Sequence, residues 1–223
     1  MTIRTVEALA PAHALRSLRC GDSWIYSATG SLTSPGAGPL SLDGIISVSV
    51  VADALSGIAG ALTLMFSQAF AVTRPDSSRE TLPGPDWMFS FVQDPVTQDL
   101  SIVADNMGRG GKHRTAKVPR IFYPGRWSSD TSYANRLDFD DGEYVANTLT
   151  VVGQEWVETP LGRYLSWKSE ITSRSVVMGL IKGIDWWTPE LGAPVRFATS
   201  CGTPDGSRMD FVAILTRSSI VSA

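Results

Sequence analysis

The stretch with the most suggestive chemistry is a glycine-rich basic run, Gly108–Thr115, with the sequence GRGGKHRT. A phosphate-binding P-loop requires G-x-x-x-x-G-K-[ST], in which the hydroxyl after the lysine holds magnesium. Here a histidine follows Lys112, and Asn106 stands where the leading glycine should be, so the run is not a P-loop. It predicts a cationic loop in which Arg109, Lys112 and Arg114 are available to an anionic head group. The alternative is an ordinary solvated loop.

An acidic run, Asp138–Glu143, has a composition like that of a calcium-binding loop. An EF-hand places acidic groups at positions 1, 3 and 5 before a glycine at position 6. With Gly142 at position 6, position 1 falls on Leu137. The run therefore predicts an acidic turn, and we expect neither a metal nor another cofactor.

Catalytic patterns are weak. Only His13 and His113 are present, and neither a G-x-S-x-G elbow nor an H-E-x-x-H zinc motif occurs. A Ser-His-Asp site assembles only in the folded chain, so a hydrolase with an unrecognised site stays open as an alternative. A glycosidase needs a pair of carboxylates, and the candidates are Glu143, Glu155, Glu158 and Glu170. Carboxylates on exposed strand faces are normally just solvated, so these residues give no specific signal.

The seven tryptophans are the remaining chemical feature. Aromatic rings each bury about 150–250 Å², so the set can fill a core, which we favour, or line a pocket for an apolar ligand. Trp186 and Trp187 are adjacent, and successive strand residues point to opposite sides of a sheet. At most one of them can face a cavity.

The composition describes a folded, rather apolar protein of 223 residues, with 43% hydrophobic and 18% charged residues. The net charge of −3 gives no overall attraction to nucleic acid, and we expect no nucleic-acid partner. Cys20 and Cys201 lack a nearby second cysteine, which excludes a CxxC pair and a zinc knuckle. They could form a disulfide in an oxidising compartment, but two free thiols are favoured.

Period-two alternation of apolar residues recurs along the chain and predicts β-strands that each bury one face. The first strand buries Trp24, Tyr26 and Ala28, and a later one presents Trp87 and Phe89. Thirteen prolines and twenty glycines indicate many turns. The best hairpin signal is Thr159-Pro160-Leu161-Gly162 between two alternating runs.

Other elements are predicted sparingly. Residues 6–19 could form a short helix broken near Pro11, and Ser128–Asn135 a brief helical turn. Residues 105–126 carry six basic residues and one acidic residue, and they predict a long basic loop that joins two groups of strands. We therefore expect one mainly β domain, residues 1–223, with residues 1–20 as an N-terminal helix or arm.

Two segments bear on location. The first twenty residues lack the uninterrupted apolar core of a signal peptide, since charged residues and Pro11 interrupt it. Ala54–Thr73 is uncharged and long enough to span a bilayer. Because its second half alternates like a strand, no transmembrane segment is predicted.

Three motifs resemble a group of bacterial β-rich envelope proteins: GDSWIYSATG (21–30), TVVGQEWVETPLGRYLSWKSEI (150–171) and DWWTPELGAPVRF (185–197). That group is similar in fold to the periplasmic lipoprotein carriers. The resemblance implies a single curved antiparallel sheet, like a half-barrel, around an apolar interior. It also implies a periplasmic or envelope location.

The function that the sequence favours is a non-catalytic binding protein for a lipid, another apolar molecule or a lipidated partner, held in the concavity of the sheet. A structural or protein-interaction module with a filled core is the alternative. The predicted ligand-binding residues are the aromatic and basic side chains Trp24, Tyr26, Trp87, Phe89, Trp167, Trp186, Arg109, Lys112 and Arg114.

Overall fold

The computed structural model describes residues 13–83, 86–175, 179–202 and 206–220. This part of the chain is built from antiparallel strands joined by short turns. The strands are β1 (His13–Ala14), β2 (Ser23–Thr33), β3 (Leu40–Ala52), β4 (Leu62–Thr73), β5 (Arg79–Pro83), β6 (Trp87–Gln93), β7 (Leu100–Gly108), β8 (Lys112–Tyr123), β9 (Arg126–Trp127), β10 (Ser132–Asp138), β11 (Tyr144–Thr159), β12 (Gly162–Ser175), β13 (Gly179–Thr188), β14 (Ala193–Gly202) and β15 (Arg208–Ser218).

One sheet accounts for thirteen of these strands, in the order β10-β11-β12-β13-β14-β15-β2-β3-β4-β6-β7-β8, with β5 paired to β4. The sheet curls until its edge strands, β8 and β10, meet at a seam. There Ala116 and Phe139 form a β-bridge, and the Asp140 amide donates to the Thr115 carbonyl at 2.9 Å. The half-barrel expected from sequence is therefore wrong in extent, because the sheet is nearly closed into a barrel.

The expectation of short helices is not confirmed, since no helix occurs in the described ranges. Of the segment 6–19, residues 6–12 lie outside those ranges, and His13–Ala14 is a strand that pairs with β9. Within Ser128–Asn135, the chain turns and then enters β10, which pairs along its whole length with β11. Strand pairing therefore outweighs the local helical signal in both places.

The basic loop expected at residues 105–126 is also wrong, because most of this segment is the hairpin of β7 and β8. Its basic residues occupy a mostly exposed strand instead of a long connection. The pairing jumps from Ala104↔Thr115 to Ile102↔Arg120, so four residues of β8 bulge out. Pro119 lies in this bulge, where its missing N–H costs no ladder hydrogen bond.

The N-terminal segment closes one end of the barrel, which we call the lower end. The Leu15 amide donates to the Gly125 carbonyl at 2.6 Å, and the Arg16 amide donates to the Pro189 carbonyl at 3.1 Å. Leu15 and Leu18 are buried in the main core. The turn between β7 and β8 marks the opposite, upper end, because β7 runs away from the N-terminal segment.

The lower half of the barrel is filled by large apolar side chains. Trp24 and Tyr26 are 2% and 1% exposed, and Trp127 is fully buried. The Tyr26 hydroxyl donates to the Pro194 carbonyl at 3.0 Å, which satisfies its polar atom inside the core. Core filling, the favoured sequence interpretation of the tryptophans, describes this half of the molecule.

The long hairpin of β11 and β12 extends beyond the barrel and covers part of its outer surface. Its tip lies against the outer faces of β2 and β15, where Glu158 and Pro160 line a pocket together with Val212. Beneath the hairpin, the Trp186 indole donates to the Glu155 carboxylate. This cover explains how a residue on the outer face of β13 is buried.

Two predictions about cysteines and membrane segments can be compared with the structure. Cys20 and Cys201 are both free thiols. In the described residues, no helix has the length and apolar character that crossing a membrane would require.

Candidate functional site

Part of the barrel interior is lined by apolar side chains that are only partly buried. Strand pairing places most of these residues on the inner faces of β4, β6, β12, β13 and β14, and Phe122 of β8 joins them through its contact with Phe89. We call this space the upper lumen, and its wall residues are Phe66, Trp87, Phe89, Phe122, Ile171, Ile181 and Phe197, all of intermediate burial. Five of them pack against buried clusters: Phe66, Ile171 and Phe197 against the main core, and Phe89 and Phe122 against a second cluster formed by Ile102, Leu137 and Phe139. A mainly apolar lining is typical of binding sites for small apolar molecules.

A chain of aromatic contacts connects the upper lumen to the filled half. Phe89 lies 5.6 Å from Phe66 and 6.4 Å from Phe122, measured between ring centroids. The chain continues from Phe122 to Tyr123 at 4.7 Å and from Tyr123 to Trp187 at 4.5 Å. These rings are held at ordinary aromatic separations, so the wall on this side is continuous.

The floor of the upper lumen carries one carboxyl group, that of Asp185 on β13. Its Oδ2 accepts hydrogen bonds from the Tyr123 hydroxyl at 3.3 Å and from the Trp187 indole at 3.4 Å. Tyr123 belongs to β8. Counted across the seam, the strands β10, β11 and β12 lie between β8 and β13. The contact therefore crosses the interior and places Asp185 inside the barrel.

The other oxygen of this carboxyl, Oδ1, accepts no hydrogen bond from a residue of the described ranges. Gly183 lies next along the inner face of β13, and a Cβ built there would be 4.0 Å from Oδ1. Ser169, the cross-strand partner of Asp185, is fully buried, and its hydroxyl has no hydrogen-bond partner. The floor thus offers two unused acceptors, Asp185 Oδ1 and the Ser169 hydroxyl, next to a position where Gly183 has no side chain.

Burial changes the acidity of this floor. Loss of solvation raises the pKa of Asp185 from 3.8 to about 6, although the bonds from Trp187 and Tyr123 favour the charged form. Burial and the nearby Asp185 carboxyl also raise the pKa values of Tyr26 and Tyr123 above the usual phenol range. Both phenols are therefore neutral at any ordinary pH.

The raised pKa of Asp185 predicts a pH-dependent stability. The protonated carboxyl's contribution is fully present below about pH 4 and is lost as pH rises through the folded pKa of about 6. Asp185→Asn cannot ionise, so its free energy of unfolding should improve relative to the wild type by about 1 kcal/mol between pH 5 and pH 8. Urea denaturation at both pH values measures this, and an unchanged difference would contradict it.

The structure divides the predicted aromatic residues into three groups. Trp87 and Phe89 face the upper lumen and are half-buried. Trp24, Tyr26 and Trp167 belong to the filled core. Trp186 lies on the outer face under the β11–β12 hairpin, where its ring contacts Lys168 and Arg196.

The predicted basic residues occupy the upper rim and the seam. Arg109 is exposed and pairs with Glu143 at 3.0 Å, and Lys112 begins β8 as an exposed residue. Arg114 is 2% exposed. Its guanidinium binds both oxygens of the Asp105 carboxylate, at 2.6 and 3.1 Å, and donates to Glu143 at 3.0 Å, so its charge is neutralised within the protein.

Glu143 gives the Arg114 interaction a role in barrel closure. Asp105 and Arg114 are paired residues of β7 and β8, whereas Glu143 lies between β10 and β11 on the other side of the seam. The guanidinium also stacks over the Phe139 ring at 3.9 Å from its centroid. Arg114 therefore joins the two edges of the sheet at its upper end.

A second concave region lies on the outer surface along the seam. It is lined by Lys117, Val118, Arg120, Arg136 and Asp138. The Arg136 guanidinium already pairs with Asp138 at 2.8 Å. Because this region is exposed and mostly charged, it is less suited to an apolar molecule than the upper lumen.

Comparisons with known proteins identify similar structures only. No protein-family model matches the chain, and no curated protein matches it. A Bacteroides fragilis protein thought to be exported, with a YmcC-like fold, is 15% identical with a TM-score of 0.38, over 93% of this chain and 99% of that one. A Parabacteroides distasonis protein thought to be a lipoprotein is 11% identical with a TM-score of 0.38, over 94% and 100%.

Because both TM-scores lie below 0.5 and both identities are low, we transfer no ligand, activity or assembly from them.

Proposed function

We propose that the protein is a non-catalytic binding protein that holds a lipid or another apolar molecule in the upper lumen. The observation that carries this proposal is a contrast between two parts of the barrel interior. Core side chains are buried against one another, including Leu42, Phe70 and Val72 toward the upper end of β3 and β4, whereas the apolar residues that line the upper lumen are only partly buried. An apolar concavity is stabilised when a ligand covers it.

The proposed lining keeps two of the residues predicted from sequence, Trp87 and Phe89, and adds others from facing strands. In this proposal Arg109 and Lys112, which are exposed at the upper rim, contact polar groups of a ligand that extends out of the barrel. An envelope location, implied by the sequence motifs, is part of the proposal. A lipidated partner would use the same space through its acyl chain.

The proposal predicts that affinity depends on chain length. Each methylene moved from water into an apolar site contributes about 0.8 kcal/mol, which corresponds to about a fourfold gain in affinity. Delipidated protein titrated with hexanol, octanol and decanol, and followed by tryptophan fluorescence or calorimetry, should bind each longer alcohol about fifteenfold more tightly, because successive alcohols differ by two methylenes. Native mass spectrometry before and after organic extraction should show a bound mass that extraction removes.

A structural or interaction module with a filled core is the second candidate, favoured by the dense packing of the lower half. It predicts a bare mass before extraction and no saturable binding of any alcohol. Those two results together would refute the binding proposal. No observation on the described residues favours the hydrolase alternative.

A further inference from the structure

We infer that the ligand carries a protonated amino group, which binds the Asp185 carboxylate at the floor of the upper lumen. This inference rests on the proposed function and adds the polar half of the ligand to its apolar half. The class of ligand is therefore an apolar chain or ring system with an amine at one end.

The first argument is that Asp185 has an unused acceptor that a ligand can reach. The two protein donors, the Tyr123 hydroxyl and the Trp187 indole, both bind Oδ2. A Cβ built on Gly183 would meet only the Ala198 carbonyl oxygen at 3.4 Å and Asp185 Oδ1 at 4.0 Å, so the position next to Oδ1 on the inner face of β13 is occupied by a residue without a side chain. A ligand atom at this position meets Oδ1 directly.

The second argument is the missing counter-charge. The lysines nearest to Asp185 in the strand ladder are Lys168 and Lys182, and both alternate to the outer face of the barrel. Lys168 lies over the ring of Trp186, and Lys182 is exposed. Within the described residues, Asp185 makes no ion pair. A buried carboxylate without a cation is costly, and an ammonium group from a ligand compensates that cost.

The third argument distinguishes an amine from other polar groups. A carboxylate or phosphate ligand would be repelled by Asp185. An ammonium group has three donors, and the floor supplies a second acceptor, the unpartnered hydroxyl of Ser169 across the ladder from Asp185. Charge-assisted hydrogen bonds of this kind are about twice as strong as neutral ones, so an alcohol of the same length should bind more weakly.

Binding of a cation also predicts a pH dependence in the range where Asp185 titrates. The titratable groups that face this carboxyl are Tyr123 on β8 and Tyr26 on β2, and both are neutral phenols. The adjacent strands β12 and β14 present Ser169 and Phe197 opposite it, and neither side chain ionises. Loss of amine affinity on acidification therefore reports the protonation of Asp185.

The test compares decylamine, decanol and decanoate at equal chain length, below their micelle-forming concentrations, with the delipidated full chain at pH 7.5. We expect decylamine to bind at least tenfold more tightly than decanol, with decanoate weakest. Lowering the pH to 5 should weaken decylamine about tenfold and leave decanol unchanged. Asp185→Asn should remove the preference for the amine while retaining decanol, and Asp43→Asn on the outer face of β3 is the matched control.

The outcomes separate this inference from the proposal on which it rests. Equal binding of amine and alcohol, or tighter binding of decanoate, would overturn the amine inference and leave the apolar site standing. No binding of any of the three probes would refute both. If Asp185→Asn does not fold, the pH titration of the wild-type protein decides alone, because a pH-independent amine affinity contradicts a role for Asp185.

Discussion

Replacing Arg114 by methionine should lower the free energy of unfolding by about 3–5 kcal/mol, the range typical of breaking a buried ion pair by removing one partner. Methionine retains apolar contact with the Phe139 ring, so the effect comes mainly from charge. Asp105, itself 2% exposed, would lose both guanidinium bonds and keep only the Met107 amide, at 2.9 Å. Urea denaturation gives the difference directly.

A matched control is available on the same network. Arg109→Met removes a partner of Glu143 whose own side chain is 78% exposed, and ion pairs made by solvated side chains contribute little. The double variant Asp105→Asn with Arg114→Met should be more stable than Arg114→Met alone, because no unpaired charge is left buried. Equal destabilisation by Arg109→Met and Arg114→Met would contradict the role of Arg114 at the seam.

Replacing Gly183 by phenylalanine should reduce the affinity for decanol at least tenfold without unfolding the protein. The backbone of Gly183 is not in the left-handed region, and a Cβ there would meet only the Ala198 carbonyl at 3.4 Å and Asp185 Oδ1 at 4.0 Å. The ring would then occupy the space above the floor. Each pair of displaced ligand methylenes corresponds to about fifteenfold in affinity.

The control for this variant is Leu180→Phe, which places the same ring on the outer face of the same strand at a residue that is 40% exposed. Its decanol affinity and melting temperature should match those of the wild type. If Gly183→Phe binds decanol as the wild type does, the ligand site is elsewhere on the molecule.

Much of the strand framework could be predicted from the sequence, because each strand buries one face and alternation reports that directly. The face shared by Trp24, Tyr26 and Ala28 is buried as expected. The Thr159–Gly162 turn joins β11 and β12. Trp186 and Trp187 do lie on opposite sides of β13, although both are buried, because the β11–β12 hairpin covers the outer one.

Closure of the barrel could not be predicted, because it depends on contacts between residues that are distant in sequence. Arg114 and Glu143 carry no local pattern that links them, and their pairing forms only when β8 and β10 meet. The basic composition of residues 105–126 suggested a loop, whereas the β-branched and aromatic run Ile121-Phe122-Tyr123 was the signal for a strand.

The floor of the upper lumen was missed for a related reason. Asp185 precedes the two tryptophans of the DWW motif. A single carboxylate in a strand is normally solvated, so nothing in the local sequence indicated that it would be buried. Asp185 points inward because it lies on the same face of β13 as Trp187. The sequence shows that the two residues share a face, but not which face is the inner one. Gly183 lies on the same inner face. Its lack of a side chain could not be recognised as a feature of a binding site until the inner face was known.

The most direct measurement is a crystal structure of the delipidated protein with decylamine at pH 7.5. We predict the alkyl chain between Phe66, Ile171 and Phe197, with its nitrogen within hydrogen-bond distance of Asp185 Oδ1. A chain bound on the outer surface, or an upper lumen closed by its own side chains with no ligand inside, would contradict the central claim that the barrel is filled below and open to an apolar ligand above.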